Sequence, residues 1–215
     1  MRRYGSRFRI SSEAMKRGLL FIVTAPSGAG KSTILDRLLE IFPGMEYSIS
    51  MTTRPPRKGE TDGVDYFFVT GKEFEDKIAD GEFLEYATVY DNYYGTRKAF
   101  IESRLDAGKD IILDIDVQGA LDVKKKGYPA VYIYIIPPTM AELRKRLEGR
   151  KTDSREVVEK RLSKAAEETG FYGEYDYVVV NDDLDGAVDA MRAIVVAEKC
   201  RPSGIGDAIE RFLGK

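Results

Sequence analysis

The chain has 215 residues, of which 43% are hydrophobic and 33% are charged, and its formal net charge is −2. This composition excludes a disordered tail and fits a globular domain that buries most of its apolar surface. The absence of histidine excludes Ser-His nucleophiles and imidazole metal sites, and the single cysteine, Cys200, excludes an internal disulfide and a paired-cysteine zinc site. No apolar run approaches the roughly 20 residues of a membrane-spanning helix. We therefore expect a cytoplasmic protein without a membrane partner.

The first segment, residues 1–17, carries six basic side chains against one acidic side chain and shows no apolar period. It lacks the apolar core of a secretory signal, so we predict a mobile basic extension. Nucleic-acid binding by this segment is the weaker alternative, because a net charge of −2 argues against broad attraction to nucleic acid.

A predicted strand over residues 19–24 leads into a glycine-rich loop and then into an amphipathic helix over residues 31–42. The loop reads Ala25-Pro26-Ser27-Gly28-Ala29-Gly30-Lys31-Ser32-Thr33. The order strand, loop, helix is the context that a phosphate-binding P-loop requires. Its glycines let backbone N–H groups turn toward phosphate oxygens at the positive end of the helix. The lysine is expected to bridge the β- and γ-phosphates of ATP, and the following serine to ligate Mg²⁺.

One residue departs from the usual P-loop motif, because Ala25 stands where that motif begins with glycine. A left-handed backbone at this residue would be strained. The alternative is a glycine-rich turn that only caps a helix.

Residues 45–96 change to turns rich in Arg, Gly, Pro and Tyr, with short strands such as residues 66–69. We predict a substrate lobe inserted in the α/β core. Within it, Arg54 and Arg57 lie on a segment stiffened by two prolines, which suits bidentate capture of a phosphate dianion. For Tyr93 and Tyr94, the alternative to a functional role is that they are core or turn aromatics.

Beyond the lobe, apolar runs at residues 111–115, 131–136 and 177–180 predict three more strands, each apolar on both faces. Helices are predicted to start at the N-caps Thr96, Thr139 and Asp153, and a last helix to span residues 186–199. Alternation of strand and helix predicts a parallel sheet with right-handed crossovers.

These motifs together resemble guanylate kinases over about residues 17–199. The resemblance also rests on Asn92-Tyr93-Tyr94-Gly95-Thr96, Asp114-Ile115-Asp116-Val117-Gln118-Gly119 and Val180-Asn181-Asp182-Asp183. It implies a three-layer α/β fold of the P-loop NTPase type with a parallel core sheet, an inserted GMP-binding lobe and a helical lid. The expected parts are a core at 18–44, 97–138 and 170–200, a lobe at 45–96, a lid at 139–169 and a C-terminal tail or helix at 201–215.

The resemblance implies transfer of the γ-phosphoryl group of ATP to GMP in purine nucleotide recycling, with Mg²⁺ as cofactor and dGMP as an expected second acceptor. The implied catalytic residues are Lys31, Arg54, Arg150 and Arg161. The implied ATP site consists of residues 25–33, Arg150 and Asn181. The implied GMP site consists of Ser50, Arg54, Arg57, Glu60, Tyr66, Glu85, Tyr94, Thr96, Asp114 and Asp116. The implied metal ligands are Ser32 and Asp114.

Guanine chemistry agrees with this assignment, because guanine offers N1–H and an exocyclic amine to a carboxylate, whereas adenine has a lone pair at N1. Two alternatives remain from the sequence. One is a non-catalytic domain of the same fold that binds partner proteins, and the other is a kinase for AMP or UMP, in which Glu85 does not decide the acceptor.

Overall fold

The computed structural model describes residues 17–89, 91–149, 154–202 and 206–213. Its larger sheet contains the strands β1 (Leu20–Thr24), β2 (Met45–Tyr47), β7 (Asp110–Asp114), β8 (Val131–Ile136) and β9 (Tyr177–Val180). All neighbouring pairs in it are parallel, in the order β2-β7-β1-β8-β9. The predicted parallel core sheet is therefore confirmed.

Helices cover both faces of this sheet, which explains why its central strands are apolar on both sides. One face packs on α1 (Lys31–Ile41) and α7 (Leu184–Lys199), and the other packs on α3 (Lys98–Asp106) and α4 (Val117–Lys125). The two layers of buried side chains hold the carboxyl ends of β1 and β7 side by side. Loops that leave these two strand ends meet at the same edge of the sheet, where ligands bind in open α/β folds.

A second sheet of four strands forms the inserted lobe. Its strands are β3 (Met51–Thr52), β4 (Phe67–Phe68), β5 (Phe83–Val89) and β6 (Asn92–Arg97), in the order β4-β3-β6-β5. The helix α2 (Gly71–Ala79) covers one face and buries Phe74 in a small aromatic cluster. The sequence analysis missed this helix, although Thr70 and Glu73 form the capping box that begins it.

The predicted lid region, residues 139–169, contains α5 (Met140–Glu148) and α6 (Arg155–Thr169), which share a separate apolar cluster that includes Leu143, Leu147 and Leu162. The predicted N-cap Thr139 is confirmed, since its side chain accepts a hydrogen bond from Glu142 N. The N-cap of α6 is Ser154, and the predicted cap Asp153 lies outside the described residues.

The termini of the chain are described in part. Of the predicted basic extension, only Arg17 is described, and it pairs with Asp106 at 2.9 Å. A short 3-10 helix (Tyr172–Glu174) precedes β9, and α8 (Gly206–Phe212) lies in the expected C-terminal tail. No helix in the described parts of the chain has the length and apolar character needed to cross a bilayer.

Several predicted strands and helices differ from the observed ones by one or two residues at an end, and two predictions assigned residues to the wrong element. Residues 45–47 were assigned to the lobe, but they form β2 of the core sheet, so the second sheet begins at Met51. Thr96 was predicted to cap a helix, but it is the fifth residue of β6, and α3 follows Arg97 without a side-chain cap. Its hydroxyl serves another partner, because it donates to the carboxylate of Glu85.

Candidate functional site

The loop between β1 and α1 has the left-handed backbone of a phosphate-binding loop at two glycines. Gly28 has φ 94° and Gly30 has φ 89°. Among the residues that the structure describes, Asp91 is the one non-glycine residue with positive φ, so Ala25 carries no such strain. The missing first glycine of the motif is therefore compatible with the turn.

A cavity of about 430 Å³ opens above this loop. Its wall contains all residues from Ala25 to Thr33, joined by Asp116 and by three side chains of α6: Arg161, Lys164 and Glu168. Arg161 Nη1 donates to Ser27 Oγ at 3.5 Å, so the lid helix touches the loop directly. The predicted lid residue Arg150 lies outside the described residues.

Sequence reasoning missed Lys164 and Glu168. With Arg161 they stand at i, i+3 and i+7 of one helix, a spacing that places all three on the same face. Burial is the largest cause of the raised pKa of Glu168, and the negative charge of Asp116 raises it as well. The positive charge of Lys164 lowers it. This face gives the cavity two cations and one carboxylate.

The loop is supported from behind by Asn181, which follows β9 and is buried. Its Nδ2 donates to Ala29 O at 2.7 Å, and Arg146 Nη2 donates to Asn181 O at 3.0 Å. The assignment of Asn181 to adenine binding stays a prediction. The sequence did not predict that Arg146 supports the loop through Asn181. The contact is close, since a Cβ on Gly30 would lie 2.4 Å from Asn181 Nδ2.

The carboxylate of Asp114 is held by two donors at the end of β7. Lys31 Nζ forms an ion pair with Oδ1, and the Tyr47 hydroxyl donates to Oδ2 at 2.7 Å. Burial and the neighbouring Asp114 charge raise the pKa of Tyr47 above its usual value, which keeps the phenol protonated as a donor. Tyr47 was not among the predicted site residues.

The oxygen donors near the loop suit a magnesium ion that has few protein ligands. In the described part of the chain, no cluster of three or more His, Cys, Asp or Glu side chains is arranged to hold a metal. Ser32 in the first turn of α1 and Asp114 supply one hydroxyl and one carboxylate. This set fits a Mg²⁺ ion that keeps waters and phosphate oxygens as its other ligands, as Mg²⁺ prefers.

In the lobe, Arg54 is fixed by Glu60 through a bidentate pair of 3.0 and 2.8 Å. The same carboxylate accepts from Arg57 N at 2.7 Å, and these contacts lower the pKa of Glu60. The guanidinium of Arg54 lies 5.5 Å from the ring centroid of Tyr66, whose ring packs edge-on against Tyr94 at 6.0 Å. The structure thus brings these predicted phosphate ligands into one group.

Tyr93 has a different place from Tyr94. Its ring stacks on Phe74 at 5.1 Å within the aromatic cluster of the lobe, so the interpretation as a core aromatic holds for Tyr93. Successive side chains of a strand point to opposite faces, which leaves Tyr94 on the face of Arg54 and Tyr66.

Glu85 is buried at the junction between the lobe and the core. Thr96 Oγ1 donates to its Oε1 at 2.6 Å, and burial raises its pKa to about 7, against the lowering effect of the Thr96 bond. Its other oxygen would lie 3.1 Å from a Cβ on Gly119, in the first turn of α4. The N-cap of α4 is Asp116, which accepts from Gly119 N at 2.8 Å. Ser50 directly precedes β3 in the chain. Its carbonyl oxygen accepts a hydrogen bond from Phe67 N at 2.9 Å.

The short segment from Asp114 to Asp116 connects the two halves of this site. Asp114 pairs with the loop lysine, Lys31, and Asp116 lines the cavity above the loop. Asp116 also lies beside Glu85, whose pKa its negative charge raises. The phosphate loop and the buried carboxylate of the lobe therefore both interact with this segment.

A sequence model described as "Guanylate kinase" matches residues 17–198. The chain belongs to the guanylate kinase family. It is 51% identical over 186 residues to the guanylate kinase of Caldanaerobacter subterraneus subsp. tengcongensis, with 86% of this chain and 90% of that one covered. It is 50% identical over 200 residues to the guanylate kinase of Symbiobacterium thermophilum, with 93% and 95% covered.

A solved structure gives the same result. The crystal structure of guanylate kinase from Anaplasma phagocytophilum superposes with a TM-score of 0.70 at 33% identity, and the match covers 91% of this chain and 95% of that chain. The family resemblance predicted from the motifs and the predicted α/β fold are both confirmed.

Proposed function

We propose that this chain transfers the γ-phosphoryl group of MgATP to GMP, giving ADP and GDP. The observation that carries the proposal is that residues 114–116 interact both with a phosphate-binding loop and with a buried carboxylate of guanine-complementary chemistry. Membership of the guanylate kinase family supports the same reaction. The substrates are nucleotides of central metabolism, so a cytoplasmic enzyme of purine recycling, accepting dGMP as well, belongs to this proposal.

In the proposed donor site, the N–H groups at the start of α1 and the ammonium of Lys31 bind the ATP phosphates. An ammonium has three donors, so Lys31 can contact phosphate oxygens while it stays near Asp114. Arg161 and Lys164 add positive charge from the lid helix, and Arg150 is expected to join them. Adenine contact by Asn181 belongs to the same assignment.

In the proposed acceptor site, Arg54 and Arg57 bind the GMP phosphate together with the hydroxyls of Tyr66 and Tyr94, while Glu60 holds Arg54 in place. Ionised Glu85 accepts from guanine N1–H and the exocyclic amine. The remaining guanine contacts are assigned to Ser50, Thr96, Asp114 and Asp116. Adenine would leave this buried carboxylate unpaired, which is the basis for rejecting AMP.

No side chain is needed as a general base. The acceptor is a phosphate monoester with a second pKa near ~6, so it is already largely an anionic nucleophile at neutral pH. The chain's task is to align two polyanions and to place cations around the transferred group, which Lys31, Arg54 and Arg161 do. The lack of histidine agrees with this chemistry.

Ser32 and Asp114 are the residues that would hold Mg²⁺, Asp114 directly or through water. An Mg²⁺ ion held there with ATP would neutralise negative charge on the phosphate oxygens. Water competes with GMP as an acceptor, so the lid and lobe exclude it from the cleft by closing on both substrates.

A coupled assay of ADP release tests the proposal, with MgATP and each of GMP, AMP, CMP and UMP as acceptors. We expect rapid turnover on GMP and its loss in Lys31→Ala, with a thermal melt of the variant as the control for folding. Preference for AMP, CMP or UMP would contradict the acceptor assignment. Failure of every acceptor would instead favour a binding domain without catalysis.

A further inference from the structure

The geometry points to Tyr47 as a positioning residue, which orients the carboxylate of Asp114 by occupying one of its two oxygens. This inference rests on the proposed function, since it assigns a residue to the donor site of that reaction. It concerns a side chain in β2, a strand that was not expected to belong to the core sheet.

Strand register places the two residues within reach of each other. Tyr47 pairs with Ile112 in the parallel ladder of β2 and β7, and Ser48 N donates to Ile112 O at 2.8 Å. Paired residues in neighbouring strands, and residues two apart in one strand, project from the same face. Tyr47 and Asp114 therefore share the sheet face that carries α1, where Ile112 and Leu35 belong to the same buried cluster.

The distance along the strand also suits a tyrosine. Two residues in a parallel strand span about 6.6 Å, at about 3.3 Å for each residue. A phenol reaches across this separation, and the observed result is a 2.7 Å hydrogen bond from the Tyr47 hydroxyl to Asp114 Oδ2. A phenylalanine at this position fills the same space and makes no such bond.

The bond has a directional consequence for the carboxylate. Lys31 takes Oδ1 and Tyr47 takes Oδ2, so the plane of the Asp114 carboxyl is fixed by donors on both sides. Without the phenol, the carboxyl keeps one donor and regains rotation about its χ2 torsion, which is soft for aspartate. An orienting group of this kind acts through the residue it holds, as the partners of metal ligands commonly do.

Tyr47 also interacts electrostatically with the acceptor side of the site. Besides Asp114, Tyr66 on that side and Asp36 in α1 raise the pKa of Tyr47. Tyr66 in turn interacts with Asp114 and Arg54. Tyr47 thus interacts with residues assigned to the donor site and with a residue assigned to the acceptor site.

The test uses Tyr47→Phe in the full chain, with Tyr172→Phe as the matched control. The control removes a phenol from a ring that is 61% exposed in the short 3-10 helix. We expect Tyr47→Phe to lower kcat about tenfold, the effect of one hydrogen bond to a charged group, with KM for GMP within about twofold of wild type. Tyr172→Phe should leave both constants unchanged.

A binding measurement separates orientation of Asp114 from a general loss of structure. Calorimetric titration with ATP, in the presence and absence of Mg²⁺, should show that Tyr47→Phe reduces the Mg²⁺-dependent gain in affinity about tenfold and leaves Mg²⁺-free binding unchanged. In an Asp114→Asn background, Tyr47→Phe should cause no further loss of Mg²⁺-dependent affinity, because the effects of substituting coupled residues are not additive. ATP binding does not require turnover, so this result stands even if wild type fails to phosphorylate GMP.

Two outcomes would overturn the inference. One is an unchanged Mg²⁺-dependent gain in Tyr47→Phe. The other is an equal loss from Tyr47→Phe in the wild-type and Asp114→Asn backgrounds, which would show that the phenol acts independently of Asp114.

Discussion

Thr96 Oγ1 donates a 2.6 Å hydrogen bond to Glu85 Oε1 from the position directly opposite in the antiparallel ladder of the lobe. Thr96 is 0% exposed and Glu85 is 6% exposed, and this burial raises the pKa of Glu85 to about 7. A nearby negative charge, Asp116, raises it further, while Thr96 and Lys126 lower it. The residue assigned to guanine recognition therefore titrates near neutral pH.

Binding of GMP should consequently depend on pH through Glu85. The ionised carboxylate accepts hydrogen bonds from guanine, and the protonated form loses acceptor capacity, so affinity falls as the pH drops below about 7. We expect KM for GMP to be about tenfold higher at pH 6 than at pH 8. Steady-state kinetics at saturating ATP measure this ratio.

The phosphate of GMP itself titrates near ~6, so a control is required. Calorimetric binding of guanosine, which has no phosphate, isolates the contribution of the base. Guanosine affinity that is the same at pH 6 and pH 8 would contradict the assignment of Glu85.

Because burial raises the pKa of Glu85, we expect Glu85→Gln to increase the stability of the folded chain. In the folded chain Glu85 holds its proton more tightly than at its ordinary pKa of 4.5, so its contribution to stability falls as the pH rises from about 4.5 to about 7. Glutamine has no charge to bury. Its advantage over wild type should therefore be greater at pH 8 than at pH 5, by on the order of 2 kcal/mol. Denaturant unfolding of both proteins at the two pH values measures this difference in the free energy of unfolding. An equal difference at pH 5 and pH 8 would contradict the raised pKa of Glu85.

Arg54→Lys should weaken GMP binding selectively. Lysine cannot reproduce the planar bidentate pair with Glu60 or with a phosphate, so we expect KM for GMP to rise about tenfold or more while KM for ATP is unchanged. The matched control is Arg144→Lys, which alters a bidentate pair with Glu159 on the lid surface. Equal effects of both substitutions on KM for GMP would count against the assigned phosphate site.

Gly30→Ala tests the close contact behind the phosphate loop. Alanine there combines a φ of 89° with a Cβ at 2.4 Å from Asn181 Nδ2. Gly127→Ala serves as the control, since Gly127 has φ 67° but no atom within 4 Å of an added Cβ. Both should lose about 1–2 kcal/mol of folding stability from the left-handed backbone. Gly30→Ala alone should raise KM for ATP, by about tenfold or more. A normal KM for ATP in this variant would show that the contact is unimportant.

Much of the fold followed from the sequence, because the buried strands and the P-loop carry local signals. The residues of β8 and β9 were predicted without error from continuous apolar runs. The edge strand β2 was missed, because only one of its three residues is buried and its pairing with β7 is a long-range contact. Thr96 was misread for a similar reason, since a threonine before a helical pattern looks like a cap and its partner Glu85 lies on another strand.

The residues of the candidate site also divide into those with local sequence signals and those placed by long-range contacts. Lys31 and Arg54 were assigned to the site through motifs and Glu85 through the family resemblance, while Tyr47 and Arg146 were missed because their partners are set by strand register and helix packing. Glu168 and Lys164 could have been found from their spacing with Arg161 along the lid helix. Contacts between distant elements are what the sequence did not reveal.

Guanine recognition by Glu85 is tested most directly by comparing kcat/KM for GMP and AMP with MgATP, in wild type and in Glu85→Gln. We expect wild type to prefer GMP by a factor on the order of 10⁴, because AMP leaves buried polar groups unpaired. We also expect most of this preference to be lost in the variant. Equal or better use of AMP by wild type, or an unchanged preference in Glu85→Gln, would contradict guanine recognition by this site.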